Sequence, residues 1–70
     1  MEHTNSLDAL KHWLDQTGRK KGWLAKTIGI DGSTISRWMR GGVTPHLIIR
    51  EKIERLTDGD VPADGWGNDR

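Results

Sequence analysis

Residues 20–40 read KKGWLAKTIGIDGSTISRWMR, and this stretch decides the fold because it predicts two short helices joined by a tight turn. The first of them covers residues 20–28 and carries an apolar face made of Leu24, Ala25 and Ile28. Gly29 follows, and glycine adopts the left-handed backbone of a helix end at little cost. A second helix is then expected to begin after Asp31, a residue type that caps helix N-termini well and suits them electrostatically.

The apolar stripe of this second helix runs out at Gly41-Gly42 and consists of Ile35, Trp38 and Met39. Ala25 falls where the two helices meet, so a small side chain is required there. The space under the crossing is then filled by Ile30, Ile35 and Trp38. The segment therefore predicts a helix-turn-helix.

One further helix is predicted on each side of this segment. Ser6 can cap a helix that ends at Gly18 and whose apolar positions are Leu7, Leu10, Trp13 and Leu14. On the other side, Thr44 as the cap and Pro45 as the first helical residue open a fourth helix, which Thr57, Asp58 and Gly59 close. Its apolar positions are Ile49, Ile53 and Leu56, with Leu47 or Ile48 beside them.

The two ends of the chain carry weaker patterns. Residues 1–5 show none, and residues 60–70, rich in glycine and aspartate, predict an irregular tail from which Val61 and Trp66 can fold back onto the body. No stretch alternates at period two. The prediction is an all-α fold, a compact four-helix domain over residues 1–59 with a C-terminal tail over residues 60–70.

The charge of the 70-residue chain is unevenly distributed, although the formal net charge is only +1. Residues 1–18 sum to −2 and residues 41–70 also sum to −2. Residues 19–40 hold six cations against Asp31 alone, which gives +5. A basic centre between acidic flanks is typical of a surface that binds a polyanion.

The spacing of Ala25, Gly29, Ile30 and Ile35, followed by Ser36-Arg37-Trp38, resembles the helix-turn-helix of the Cro-like and phage-repressor (XRE-type) family. The specific match covers residues 21–40, and the order of helices extends it more loosely over residues 7–59. The resemblance implies a compact all-helical protein that binds double-stranded DNA. The chain departs from the family pattern at three positions, which bear on the operator sequence rather than on the docking mode: Lys21, where glutamine is common; Trp23, where a polar residue is expected; and Gly32, which often carries a base-reading side chain.

The family pattern, carried over position by position, implies that Ser33, Ser36 and Arg37 read bases. Arg37 is the strongest candidate, because a bidentate arginine on guanine is the commonest specific contact. Contacts to the DNA backbone or groove are expected from Arg19, Lys20, Lys21, Lys26, Thr34, Arg40 and Thr44. For Arg37 and Arg40 the alternative of a solvated or merely phosphate-binding arginine stays open.

Three of these cations, Arg19, Lys20 and Lys21, crowd the start of a predicted helix, where the helix dipole disfavours positive charge. A DNA phosphate bound there would accept hydrogen bonds from the free helix N–H groups and neutralise the lysines. A solvated basic loop is the alternative. Gly41, Gly42 and Thr44 offer donors for a further phosphate.

Other classes of function find little support. There is no cysteine, and the spacing of His3, His12 and His46 fits no metal site, so neither metal nor cofactor is expected. No arrangement of nucleophile and base is visible, so an enzyme is not expected, nor is a small-molecule ligand. No apolar run is long enough for a membrane span and no secretion signal is present, so we expect a cytoplasmic protein without membrane contact.

The sequence therefore predicts a transcriptional regulator, a repressor that occupies a short palindromic operator. We expect a homodimer, because the reading helix is short and Trp23 and Trp66 exceed what so small a core requires. An antitoxin of a toxin–antitoxin pair, with residues 60–70 binding the toxin, is the alternative within the same class. A protein-interaction module that uses the same fold without DNA is the alternative from another class.

Overall fold

A computed structural model describes residues 5–41 and 43–66, and these residues form four α-helices and no strand. The helices are α1 (Ser6–Thr17), α2 (Lys21–Ile28), α3 (Gly32–Met39) and α4 (Leu47–Leu56). The predicted all-α, four-helix fold is confirmed. No helix within the described ranges is long and apolar enough to cross a membrane.

The start of α1 differs from the prediction in its cap. Asn5 is the N-cap residue, and its Oδ1 accepts a hydrogen bond from the Asp8 backbone N–H at 2.9 Å. Ser6 is instead the first helical residue and is buried, because its hydroxyl donates to the Pro62 carbonyl at 2.6 Å. The predicted capping role of Ser6 is therefore wrong. The predicted end at Gly18 is confirmed, since Gly18 adopts φ 70° in the left-handed region.

The helix-turn-helix of α2 and α3 is the most extensively packed helix pair. Gly29 ends α2 with φ 95°, and the N–H groups of Gly29 and Ile30 both donate to the Ala25 carbonyl, at 2.8 and 2.9 Å. Ala25 is 4% exposed, as expected for a small residue at a helix crossing. Asp31 occupies the N-cap position of α3, but its side chain forms no capping hydrogen bond.

Helix α4 starts later than predicted. It begins at Leu47 with His46 as N-cap, so the predicted opening by Thr44 and Pro45 is wrong. The backbone of His46 is still extended (ψ 158°), and Pro45 is buried in the preceding loop, where its carbonyl accepts from the Arg50 Nε at 2.8 Å. The proline therefore serves the loop rather than the first helical turn.

The core is a single cluster to which all four helices and the C-terminal segment contribute. Its completely or almost completely buried large side chains are Leu10, Leu24, Ile35, Trp38, Ile53 and Val61. Trp13, Met39, Ile49 and Leu56 pack against the cluster but remain partly exposed. Neither Leu47 nor Ile48 lies beside the core, contrary to expectation, because both side chains are exposed.

Residues 60–66 are irregular, as predicted, and the expected return of Val61 and Trp66 to the body is confirmed. Val61 is fully buried, and its N–H donates to the Thr57 hydroxyl at 3.1 Å. Trp66 is 4% exposed and meets the Trp38 ring edge-on, with centroids 5.9 Å apart. Trp66 is therefore unavailable for the subunit contact proposed for it.

Candidate nucleic-acid interface

Helix α3 presents two faces of opposite chemistry. Ile35 and Trp38 are buried, and they hold the helix against the body. Ser33 and Arg37 lie in the helix, and Arg40 is its C-cap residue; all three are exposed. They follow one another at intervals of four and three residues, which places them on one face of the helix. A polar, cationic face is thus held outward by an apolar face anchored in the core.

The other predicted base and groove contacts of α3 are less accessible. Ser36 and Thr34 are both half-buried, and the Thr34 N–H donates to the Asp31 carbonyl at 3.1 Å in the first turn. Gly32 opens the helix, and a Cβ placed there would meet no atom within 4 Å. The start of α3 is therefore open to an approaching ligand, and its outward donors are Ser33 and the side chains that follow it.

The second cationic group lies at the start of α2. Lys20 is the N-cap residue with an extended backbone, and Lys21 is the first helical residue; both are exposed. The Lys20 side chain provides no cap hydrogen bond, and no acidic residue lies in the first turn. The first backbone acceptor of the helix, the Lys20 carbonyl, is bonded by the Leu24 N–H at 3.1 Å, so the N–H groups of residues 21–23 face outward from the helix end.

Arg19 precedes these lysines and is held on an aromatic surface. Its guanidinium carbon lies 4.1 Å from the centroid of the Trp23 ring. Trp23 in turn packs against Trp13 of α1, with centroids 6.1 Å apart and ring planes inclined by 32°. This Arg19–Trp23–Trp13 stack explains structurally why a large aromatic side chain occupies position 23.

The remaining predicted backbone contacts are more dispersed. Lys26 lies in the last turn of α2, five residues and thus about 7.5 Å along the helix axis from Lys21. Thr44 is exposed in the non-helical segment before α4. Gly41 adopts φ 85° at the end of α3, whereas Gly42 lies outside the described residues. The structure therefore groups Arg19, Lys20 and Lys21 at one helix end and leaves Lys26 at the other.

No ion pair neutralises this surface within the described part of the chain. The six cations between residues 19 and 40 have no carboxylate partner there, and Asp31 has none either. Arg19 interacts with an aromatic ring rather than an acid. A surface cation without an acidic partner keeps its full charge available to an external anion.

One feature of the surface was not foreseen from the sequence. Within residues 5–41 and 43–66, the large apolar side chains with high exposure are Val43 (49%), Leu47 (57%) and Ile48 (68%). We call these three residues the apolar patch. Ile53 is the buried residue of α4, and it follows Leu47 by six residues and Ile48 by five, so helical geometry places both side chains off its buried face.

Other sites are not formed by the described residues. They contain no group of three or more His, Asp or Glu side chains placed to hold a metal ion, while His3 lies outside them. Comparison with protein-family models, with characterised proteins and with solved structures finds no match to this chain.

Proposed function

We propose that this chain is a sequence-specific DNA-binding transcriptional regulator, a repressor that occupies a short palindromic operator by inserting α3 into the major groove. The observation that carries the proposal is the exposed cationic face of α3, fixed by a buried opposite face and free of ion pairs among the described residues. An α-helix with its side chains is about 10–12 Å across, which fits a major groove about 12 Å wide.

Within this proposal the residues of α3 differ in how well their side chains can reach the bases. Arg37 is exposed in the middle of the outward face and carries the fork of donors that matches guanine O6 and N7. Ser33 is exposed one turn earlier and can contact either a base or the sugar-phosphate backbone. Ser36 is half-buried, so its base contact is a secondary one.

The start of α2 supplies the phosphate contacts in this proposal. Lys20 and Lys21 stand beside N–H groups that no side chain caps, and the helix dipole favours an anion at that point. A DNA phosphate would neutralise the lysines and accept from the free N–H groups. Such contacts fix the register of the protein on the duplex without reading sequence.

The test separates the two kinds of contact. An operator is first selected from a random DNA pool, and the affinities of Arg37→Ala and Lys21→Ala for operator and scrambled duplex are then titrated at several salt concentrations. Arg37→Ala is expected to cost about 1–3 kcal/mol on the operator and little on scrambled DNA. Lys21→Ala is expected to weaken both alike and to reduce the slope of log affinity against log salt by roughly one.

Arg55→Ala is the matched control, because Arg55 is an exposed cation on α4 that lies beside Ile28, at the opposite end of α2 from Lys21. We expect it to leave both affinities within about twofold. Parallel weakening of both duplexes by Arg37→Ala would contradict the base-reading role. If the unsubstituted chain shows no salt-dependent affinity for any duplex, the proposal fails and an acidic protein partner takes its place.

A second copy of the chain is proposed to cover the apolar patch when the protein is bound to its operator. The Cα atoms span 27 Å along the longest axis, which is less than the roughly 34 Å that one turn of DNA sets between two half-sites, so two copies can bind side by side. Three side chains form too small a surface for a stable dimer, which requires about 1,200 Å² or more. The copies therefore associate weakly in solution and cooperatively on DNA.

Ile48→Glu tests this association, since Ile48 is 68% exposed and the substitution should leave the fold intact. The expected result is loss of cooperativity on a two-half-site operator with unchanged affinity for an isolated half-site. Gln16→Glu, an exposed substitution on α1 that adds the same charge, should retain cooperativity. Saturation of a non-repeated site by a single wild-type copy would contradict the dimer.

A further inference from the structure

We propose that Trp23 positions Arg19 for contact with the DNA backbone, so that an indole that touches no DNA contributes to affinity. This inference rests on the proposed DNA-binding function. Its observation is the Arg19–Trp23–Trp13 stack, in which the guanidinium carbon lies 4.1 Å from the Trp23 ring centroid. It assigns to Trp23 a role that neither its apolar character nor the family pattern provides.

The backbone of Arg19 is already fixed by the end of α1. Gly18 adopts a left-handed conformation, and the Arg19 N–H donates to the Leu14 carbonyl at 3.0 Å. This hydrogen bond closes the helix and sets the direction in which the Arg19 side chain leaves the backbone. The side chain then lies over the Trp23 ring, four residues further along the chain.

The stack restrains the side chain and leaves its donors free. The Arg19 guanidinium interacts with the face of the Trp23 ring, and no hydrogen bond among the described residues uses its N–H donors. Arg19 is exposed and has no carboxylate partner among the described residues, so no acid competes for those donors. An arginine that is held in place in this way loses less conformational freedom when it binds a phosphate.

Trp23 is itself held in position by a second tryptophan, Trp13. It is half-buried and packs at 6.1 Å between centroids against Trp13, which belongs to the helix preceding the loop. The two rings thus link α1 to α2 on either side of residues 18–20 and fix the position of the stack relative to both helices. Trp13 supports the ring under Arg19 but carries no charge over its own face within the described contacts.

The experiment is a double-mutant cycle measured as affinity for DNA. Trp23→Leu should weaken binding to operator and scrambled duplex by up to about fivefold, because the Arg19 side chain loses a restraint no stronger than an exposed cation–π interaction. Arg19→Ala should weaken both and lower the salt slope by about one, because a phosphate contact is lost. In the Arg19→Ala background, Trp23→Leu should have no further effect on affinity.

Trp23→Phe keeps a flat ring under the guanidinium and should recover most of the affinity, which also guards against a folding defect in Trp23→Leu. Arg55→Ala is the control: it removes an exposed cation outside the stack, at the opposite end of α2, and it should change affinity by less than about twofold. Far-ultraviolet circular dichroism of each variant reports whether it is folded.

Equal weakening by Trp23→Leu with and without Arg19 overturns the positioning role while leaving the proposed function intact, and so does an affinity of Trp23→Phe as low as that of Trp23→Leu. Absence of DNA binding by the unsubstituted chain overturns both. An effect of Trp23→Leu that disappears in the Arg19→Ala background supports the inference.

Discussion

Gly65→Ala is expected to destabilise the fold because the C-terminal segment passes very close to the start of α1. A Cβ at Gly65 would lie 2.5 Å from the Ser6 Oγ, a separation that carbon and oxygen do not tolerate. Ser6 cannot simply move aside, since its hydroxyl donates to the Pro62 carbonyl and its N–H donates to the Gly65 carbonyl, both at 2.6 Å. The substitution therefore acts on a segment that is tied at two points.

The magnitude follows from the two ways in which the clash can be relieved. If the backbone shifts, the cost is that of overpacking a tight site, about 1–3 kcal/mol. If the Ser6 side chain rotates, a hydrogen bond of a buried hydroxyl is lost at a cost of about 1–3 kcal/mol. Both routes give a similar loss, and for a domain of this size each kcal/mol lowers the melting temperature by about 4–8 °C.

Urea unfolding followed by tryptophan fluorescence measures this loss, because Trp66 and Trp38 lie in the core beside the segment. Gly22→Ala is the matched control: Gly22 lies in α2, no atom is within 4 Å of its Cβ, and stability should rise by about 0.5–1 kcal/mol.

Measuring the effect of Gly65→Ala in a Ser6→Ala variant tests whether the clash with the hydroxyl is its cause. Once the hydroxyl is removed, the nearest Ser6 atoms to the new Cβ lie at 3.5 and 3.6 Å, which is ordinary contact. Ser6→Ala alone should cost about 1–3 kcal/mol, and Gly65→Ala should then add almost nothing. If Gly65→Ala costs the same in both backgrounds, or costs nothing in the unsubstituted chain, the described approach of the two segments is wrong.

Three further substitutions test the helix-turn-helix and the helix starts by the same unfolding measurement. Ala25→Leu should cost about 1–3 kcal/mol by overpacking the α2–α3 crossing and should abolish DNA binding, so unchanged stability would contradict the packing. Asn5→Ala should cost about 1 kcal/mol because the cap bond to Asp8 is lost, whereas Asn5→Asp should retain stability. Thr44→Ala should stay within about 0.5 kcal/mol, since Thr44 is exposed and caps no helix; a larger loss would restore its predicted capping role.

The sequence was sufficient for the helix-turn-helix because its signals there are local. Gly29 marks a left-handed helix end, and the spacing of Ala25, Ile35 and Trp38 marks the buried faces; all four occupy the predicted places. These signals depend on the chain within a few residues. They can therefore be interpreted without knowledge of the rest of the fold.

The two wrong helix starts have a different cause. Ser6 and Thr44 are good capping residues by type, but other interactions compete at both helix starts. The Ser6 hydroxyl is engaged by Pro62, fifty-six residues away in sequence, whereas Pro45 is buried and its carbonyl is held by Arg50 in the first turn of α4. Capping preference is a weak local term, and tertiary contacts decide among several possible caps.

The sequence predicted the charge of the candidate interface but not the arrangement of its side chains. The sequence shows six cations in residues 19–40, yet it cannot show that Arg19 stacks on Trp23 or that the cations lack acidic partners in the described structure. Trp66 was a candidate for a subunit contact, although a core of this size does accommodate it against Trp38. Aromatic residues are placed by three-dimensional packing, which residue type alone does not reveal.

The described surface has two features that a partner could cover, the unpaired cations and the apolar patch, and binding at each responds differently to salt. The unpaired cations of residues 19–40 call for an anion, and binding there weakens as salt rises because counterions compete. The apolar patch calls for an apolar partner, and burial there changes little with salt but carries a negative heat-capacity change. If a palindromic duplex binds the cations and a second copy covers the apolar patch, salt should lower the affinity for each half-site while the cooperativity between the half-sites persists. A partner that covered only the cations or only the apolar patch would leave the other exposed to water. Persistence of cooperativity at high salt therefore distinguishes paired copies on DNA from a single copy that binds alone.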